Sequence, residues 1–297
     1  MIPVFRLLRV AVRQSLARPR SIRVPEPATV MDDVRQVDAY DRAHESKLAA
    51  AYRAVLWFLD RLPVDFGGGV AVDVCCGPGH FACELGRLYG FRAVYGVDLS
   101  LPMLERARAR AERIGLGSRV AFLRGDAMRL GDLFPEHRFR LVTCNNALHH
   151  LPDLDAVRRF LLSLSRLVEP AGVLVVSDLV RLKTPELNDE YVDVLGEDYT
   201  ERGLDQLLHD FRASMHAAWT AEEIRAALPH VNGWSWMIYV PRWLPTLQVV
   251  VAHPKEMPSG QRRAGRSEKT VFEVPALEWQ LLKLSLLMAR RIRVAGE

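Results

Sequence analysis

The chain has 297 residues, 49% hydrophobic and 26% charged, the balance of a globular protein with a sizeable core. No apolar run approaches the roughly 18 residues of a membrane-spanning helix, and Arg6 and Arg9 interrupt the only apolar stretch near the N-terminus, so neither an integral membrane protein nor an exported one is expected. Residues 1–25 hold six arginines and no acid, and residues 254–297 hold nine basic residues against five glutamates; the net +4 of the chain therefore leaves −6 for residues 26–253, an acidic body that argues against a nucleic-acid partner.

Residues 4–16 read as a helix with Val4, Leu8, Ala11 and Val12 on one face and Arg6, Arg9 and Arg13 on the other. Such an Arg-rich, acid-poor segment suits a transit peptide, a membrane-surface helix or a docking helix. A link containing Pro25 and Pro27 leads to a second helix over about 30–61, which carries Tyr40, Tyr52, Trp57 and Phe58. From residue 69 the pattern changes. Short segments rich in Val, Leu and Ile lie at Val70–Cys75, Ala93–Val97, Val120–Leu123, Arg140–Cys144 and Val173–Leu179, with helical segments at 79–89, 101–114, 128–134 and 153–167 between them. Strands of that composition are buried on both faces, and the alternation predicts a parallel sheet with helices on both sides.

After the fifth strand an insertion, about 181–218, opens with Thr184-Pro185, an N-cap followed by a proline suited to the first helical position. A further helix follows Thr200, with Leu204, Leu207, Leu208, Phe211 and Met215 at helical spacing, and another begins at Thr220 with Glu223 three residues on, a capping box. An insertion at the carboxyl edge of an α/β sheet stands where ligands bind, so it is expected to form a lid or substrate wall. Trp234–Val240 and Leu247–Ala252 are two more strands, joined by a link too short for a parallel crossover. A polar linker and a helix near 275–294 complete the chain. The expectation is an α/β, Rossmann-like, seven-stranded, mostly parallel sheet with the last strand antiparallel. It divides into a helical N-terminal cap (1–66), a ligand-binding domain (67–253, with the lid at 181–218) and a basic linker with an amphipathic C-terminal helix (254–297).

Cys75, Cys76, Cys83 and Cys144 form no C-x-x-C pair, which fits free thiols in a reducing cytoplasm and neither a disulfide framework nor a zinc site. The informative stretch is VAVDVCCGPGHFACELG, residues 70–86: a strand, a glycine-rich turn, then a helix. Gly77 and Gly79 lack a Cβ, so the backbone can turn tightly and approach a ligand. Asp98 ends the second strand 21 residues after Gly77, where a carboxylate can take both hydroxyls of a ribose. Those features alone also satisfy the dinucleotide pattern. Asp73 inside the first strand separates the readings, because a carboxylate there suits an ammonium-bearing ligand and repels a pyrophosphate. RGDA at 124–127, NNALHHL at 145–151, LVEPAGVLVVSDL at 167–179 and the reversed last strand point the same way.

Together these segments resemble the class I S-adenosylmethionine-dependent methyltransferases of the small-molecule branch, over about 69–253. The resemblance implies S-adenosyl-L-methionine as cofactor. It places Asp73, Gly77 and Gly79 beside the methionine part, with Cys75 in the same loop. It gives the ribose to Asp98, the surroundings of the adenine to Leu99 and Met103, the adenine amino group to Asp126 with Ala127 beside it, and the neighbourhood of the sulfonium to Asn145 or Asn146. Cys75 stands where the family often has Gly, and Arg140 where an Asp commonly follows Phe.

Methyl transfer from a sulfonium is an in-line displacement, so alignment and exclusion of water supply most of the acceleration, and a base is needed only for an acceptor that still carries its proton. His149 and His150 are the candidate bases. Asp178, Tyr40, Tyr199, His216 and Trp219 are candidate acceptor contacts. The chain has no N-P-P-Y or D-P-P-Y tetrapeptide and no Pro-Cys pair, which speaks against base methylation of nucleic acids. A small organic acceptor is expected, with no nucleic acid or metal. A lipid or quinone acceptor at a membrane surface, reached through the basic terminal helices, a cofactor-binding module without turnover and a nicotinamide-dependent oxidoreductase stand as the alternatives.

Overall fold

The computed structural model describes residues 4–27, 31–44, 48–197, 199–255 and 267–294. Three helices come first: α1 (Val4–Leu16), α2 (Val34–His44) and α3 (Ala49–Leu59). The helix expected over about 30–61 is represented by α2 and α3, and residues 30 and 45–47 of that span lie outside the described residues. The sheet then builds in the expected order: β1 (Val70–Val74), α4 (His80–Leu88), β2 (Ala93–Asp98), α5 (Leu101–Arg113), β3 (Val120–Arg124), β4 (Phe139–Asn145), α6 (Leu154–Leu167) and β5 (Val168–Leu179). The expected helix at 128–134 is a single tight turn over Leu130–Asp132. The insertion holds α7 (Pro185–Leu195) and α8 (Asp205–Ala217), and α9 (Ala221–Ala227) follows it. The Thr184 side chain caps α7, and Thr220 and Glu223 form the expected capping box of α9.

Two antiparallel strands, β6 (Trp234–Val240) and β7 (Leu247–Pro254), precede α10 (Ala276–Leu287) and β8 (Arg290–Val294). The sheet therefore has eight strands among the described residues, in the order β3-β2-β1-β4-β5-β7-β6-β8, where seven were expected. The helix expected to run to residue 294 stops at Leu287, and Arg290–Val294 instead pairs antiparallel with β6. Arg-Ile-Arg-Val has a period of two, the repeat of a strand and not of a helix. Its arginines occupy an outer edge of the sheet, where long charged side chains discourage pairing with a further strand.

Apolar layers pack on both faces. On one, α3, α4, α5 and α10 cover Ala71, Leu141, Val173, Val175, Val249 and Val251; on the other, α6 and α9 cover Val70, Val72, Val142, Leu174 and Val250. A third cluster joins Val10 of α1 to Leu187, Tyr191 and Val192 of α7 and Met215 of α8. Helix α1 turns Val10 and Ala11 inward, while Phe5, Leu8, Val12 and Leu16 face solvent. Arg6 pairs with Glu197, and Arg9 and Arg13 pair with Glu190 of α7, so the arginine face of α1 lies towards the insertion.

Candidate active site

Parallel strands bring their carboxyl ends to one edge, and the site forms there. The register sets Asp73 of β1 beside Thr143 of β4, and Asn145 beside Ser177 of β5. A polar row follows from that register. Thr143 Oγ1 donates to Asp73 Oδ1 at 2.8 Å, Asn145 Nδ2 donates to the same oxygen at 3.4 Å, and Ser177 Oγ donates to Asn145 Oδ1 at 2.7 Å. Asp73 is buried, and burial pushes its pKa up to about 7, against the lowering effect of the Thr143 and Asn145 hydrogen bonds.

Above this row the chain turns through three left-handed residues, Cys75 (φ 57°), Gly77 (φ 50°) and Gly79 (φ 76°). The two glycines differ in purpose. A Cβ on Gly77 would meet only the Tyr40 ring at 3.9 Å, and Gly77 borders the cavity described below. A Cβ on Gly79 would lie 2.7 Å from Ala107 Cβ and 2.8 Å from the Phe122 ring. The expectation that Gly79 admits a ligand is therefore corrected: it lets α4 close against α5 and the sheet. Asp98 stands across the loop. Its Oδ2 accepts the Gly77 N–H at 2.8 Å and its Oδ1 the Ser100 N–H at 3.0 Å. Burial raises its pKa, opposed by these same hydrogen bonds. A carboxylate has about four lone-pair sites, and the backbone does not fill them all, so Asp98 can still accept from a ligand.

A cavity of about 1350 Å³ opens over this edge, lined mainly by apolar side chains. Of the residues expected from sequence it brings together Cys75, Gly77, Asp98, Leu99, Met103, Asp126, Ala127, Asn145, Asn146, His149, His150, Tyr40 and Tyr199. Asp126 Oδ1 accepts from the Met128 N–H at 2.8 Å, so it shapes its own turn as well as facing the cavity. Asn146 has φ 54° and borders the cavity, and its Nδ2 is buried with no hydrogen-bond partner.

Five expected residues do not line it. Asp73 lies beneath the floor, and Gly79 is packed away as above. Asp178 is behind the wall: its Oδ1 meets His149 Nδ1 at 2.6 Å and its Oδ2 accepts the His149 N–H at 2.8 Å, so it positions His149 rather than touching an acceptor. Burial opposes charge on His149, but the Asp178 carboxylate outweighs it and holds the pKa above the usual histidine value. His216 is turned to Asp189 at 3.1 Å on the insertion. Trp219 is buried, its Nε1–H donated to the Leu148 carbonyl at 2.9 Å, with the Arg23 guanidinium stacked 3.7 Å from its ring.

Sequence reasoning missed Glu26 and Arg23. Arg23 donates to the carbonyls of His149 (2.9 Å), Leu151 (2.7 Å) and Pro152 (2.8 Å), fixing the loop after β4. Glu26 meets His150 Nδ1 at 2.6 Å and accepts from Ser214 Oγ at 2.6 Å. The available signal was that Glu26 is the first acid of the chain, after six arginines.

Helix α2 closes the cavity beside the glycine-rich loop, with Gln36 and Tyr40 in its lining. Asp41 meets His80 Nε2 at 2.6 Å and accepts from Arg110 Nη2 at 2.7 Å, and Asp38 pairs with Arg106. Burial alone would raise the Asp41 pKa, but the His80 hydrogen bond and the Arg110 charge bring it to about 2.

Comparison with known proteins agrees with this geometry. Residues 71–172 match the methyltransferase domain family. A 2-phytyl-1,4-naphtoquinone methyltransferase of Nostoc punctiforme is 31% identical over 121 residues, 40% of this chain and 50% of that protein. Methyltransferase GfsG of Streptomyces halstedii is 36% identical over 121 residues, 41% of each chain. The matched segment spans half or less of either relative. A solved S-adenosyl-L-methionine-dependent methyltransferase structure from Methanococcus maripaludis superposes with a TM-score of 0.52 at 16% identity, over 79% of this chain and 99% of that one, a likeness of fold. Residues 71–172 match the methyltransferase domain family, and the sheet and glycine-rich loop around them share the fold of a solved S-adenosyl-L-methionine-dependent methyltransferase.

Proposed function

We propose that this protein transfers the methyl group of S-adenosyl-L-methionine to a small, largely apolar acceptor at a hydroxyl or amine. The observation that carries the reading is the pairing of Asp98 with the Gly77 and Ser100 N–H groups at the edge of an apolar cavity large enough for cofactor and acceptor together. Asp98 takes the ribose hydroxyls. Leu99, Met103, Asp126 and Ala127 surround the adenine. Gly77, Asn145 and Asn146 border the methionine part, with the Asp73 charge beneath its ammonium group. Tyr40 and Tyr199 wall the acceptor. His149, aligned by Asp178, accepts the proton of a hydroxyl or amine, and His150 stands beside it with the rings 4.1 Å apart. In this reading residues 67–253 are the catalytic unit, 181–218 its lid and 1–66 its cap. The likeness to a methyltransferase named for 2-phytyl-1,4-naphtoquinone supports an acceptor of that apolar character.

A second reading, a lipid or quinone acceptor taken from a membrane surface, is favoured by the cavity rim. Phe5 and Leu8 of α1 and Leu277 of α10 border the cavity and are 88%, 42% and 71% exposed. Arg6 and Arg9 stand beside these residues, paired with Glu197 and Glu190 but 50% and 73% exposed, so they stay within reach of an anionic interface. No helix among the described residues is long and apolar enough to cross a membrane.

The test is incubation with methyl-labelled cofactor and a panel of phenols, hydroquinones and apolar amines. Label in an organic-extractable product is expected. Cofactor binding with no transfer to any member would favour a module without turnover.

A further inference from the structure

Three potential metal ligands meet on the cavity wall in a place that the cofactor reading leaves unused. One carboxylate oxygen of Glu26 and one ring nitrogen each of His149 and His150 all lie within 4.8 Å of one another. They come from distant parts of the chain, Glu26 from the N-terminal segment and the histidines from the turn after β4, and Glu26 and His149 are each held from behind. His149 Nδ1 is engaged by the buried Asp178, which leaves Nε2 as its open donor. Ser214 holds Glu26 Oε1, which leaves Oε2 beside His150 Nδ1. Arg23 clamps the backbone of the histidine turn through the carbonyls of His149 and Leu151.

We propose that Glu26, His149 and His150 bind a divalent transition-metal ion. Two imidazoles and one carboxylate, with positions left open, form a donor set that suits zinc, cobalt or ferrous iron over calcium or magnesium, which prefer oxygen. Outer partners of the observed kind, a carboxylate on the far nitrogen of a histidine and a hydroxyl on the ligating carboxylate, orient such ligands and raise their basicity. The charge balance is also favourable. With both imidazoles neutral, Glu26 and Asp178 bring two negative charges, and the Arg23 guanidinium offsets only one. In the absence of an ion, Glu26 and His150 hydrogen-bond to each other; an ion between them replaces that contact.

The site itself stands apart from the methyl-transfer reading; only its use rests on that reading. A hydroxyl of the acceptor bound to the ion would lose its proton to solvent near neutral pH. The oxygen lone pair then takes the methyl group, and the electrons of the broken carbon–sulfur bond return to sulfur, which becomes a neutral thioether. His149 then serves as a ligand, and the ion takes over the work assigned to its base role.

The experiment uses the full chain stripped of metal with a chelator and titrated with cobalt(II). The expected result is one ion per chain, with visible ligand-field absorption showing nitrogen and oxygen donors. Binding should weaken at least about tenfold in Glu26→Gln and in His150→Ala, and by about 10–100-fold in Asp178→Asn. S-adenosylhomocysteine affinity, measured on the same samples, should stay within about twofold for Glu26→Gln, which separates failure of this site from failure of the cofactor reading. Absence of a stoichiometric site, or a site unchanged in both Glu26→Gln and His150→Ala, would overturn the proposal.

Discussion

At Cys75 the backbone is left-handed, with φ 57°, a conformation that costs an L-residue about 1–2 kcal/mol and glycine almost nothing. The family habit of glycine at this place thus has a local cause. Cys75→Gly is expected to stabilise the protein by about 1 kcal/mol in urea unfolding. Asp73 gives the opposite kind of test. Its pKa rises from 3.8 to about 7 on folding, so the folded state holds the proton more tightly and stability is lost as pH climbs across that window. Relative to wild type, Asp73→Asn should flatten the pH dependence between about pH 4 and 8 by on the order of 3 kcal/mol. An unchanged difference between the two proteins across that range would mean that Asp73 is ionised throughout.

Among the elements, the contrast between Gly77 and Gly79 is the sharpest. An added Cβ at Gly79 must displace Ala107 and the Phe122 ring, whereas one at Gly77 points towards the cavity. Gly79→Ala should cost roughly 3 kcal/mol or more of folding stability, from overpacking added to left-handed strain. Gly77→Ala should cost only the strain, about 1–2 kcal/mol, and weaken cofactor binding instead. Thermal unfolding and cofactor titration of both variants separate the two. This difference could not be read from the glycine spacing, because it depends on Phe122, which enters from β3 43 residues later. What could be read was the alternation of buried strands with helices and the caps at Thr184 and Thr220, since those signals are local. The strand at Arg290–Val294 was not. It was visible only as a two-residue period in Arg-Ile-Arg-Val, at the end of a stretch whose leucines repeat with helical spacing.

For the whole molecule, the uneven charge acquires a place. The arginines of the basic N-terminal helix pair with Glu190 of α7 and with Glu197 just after it, and Phe5 and Leu8 stand exposed at the rim of the cavity, which Leu277 also borders. If the rim meets a bilayer, Phe5→Glu with Leu277→Glu should lower partitioning onto anionic vesicles at least about tenfold, by removing apolar burial and adding like charge. Equal partitioning of variant and wild type would remove the membrane reading and leave the small-acceptor reading intact. The orientations of Asp178, His216 and Trp219 were not legible, because each was placed only by element and its orientation is set by packing partners elsewhere in the sequence. His216 turns to Asp189, and Trp219 is held by Leu148 and Arg23.

The central claim is that adenosylmethionine lies against the β1 loop with its ribose on Asp98. Calorimetric titration of the wild type and Asp98→Ala with S-adenosylhomocysteine tests it most directly, with unfolding curves to show that both are folded. The account predicts saturable one-to-one binding by the wild type and affinity more than about tenfold weaker in the variant, the loss of hydrogen bonds to a charged group. Equal affinities, or a wild type that binds a nicotinamide dinucleotide in place of the thioether, would contradict it.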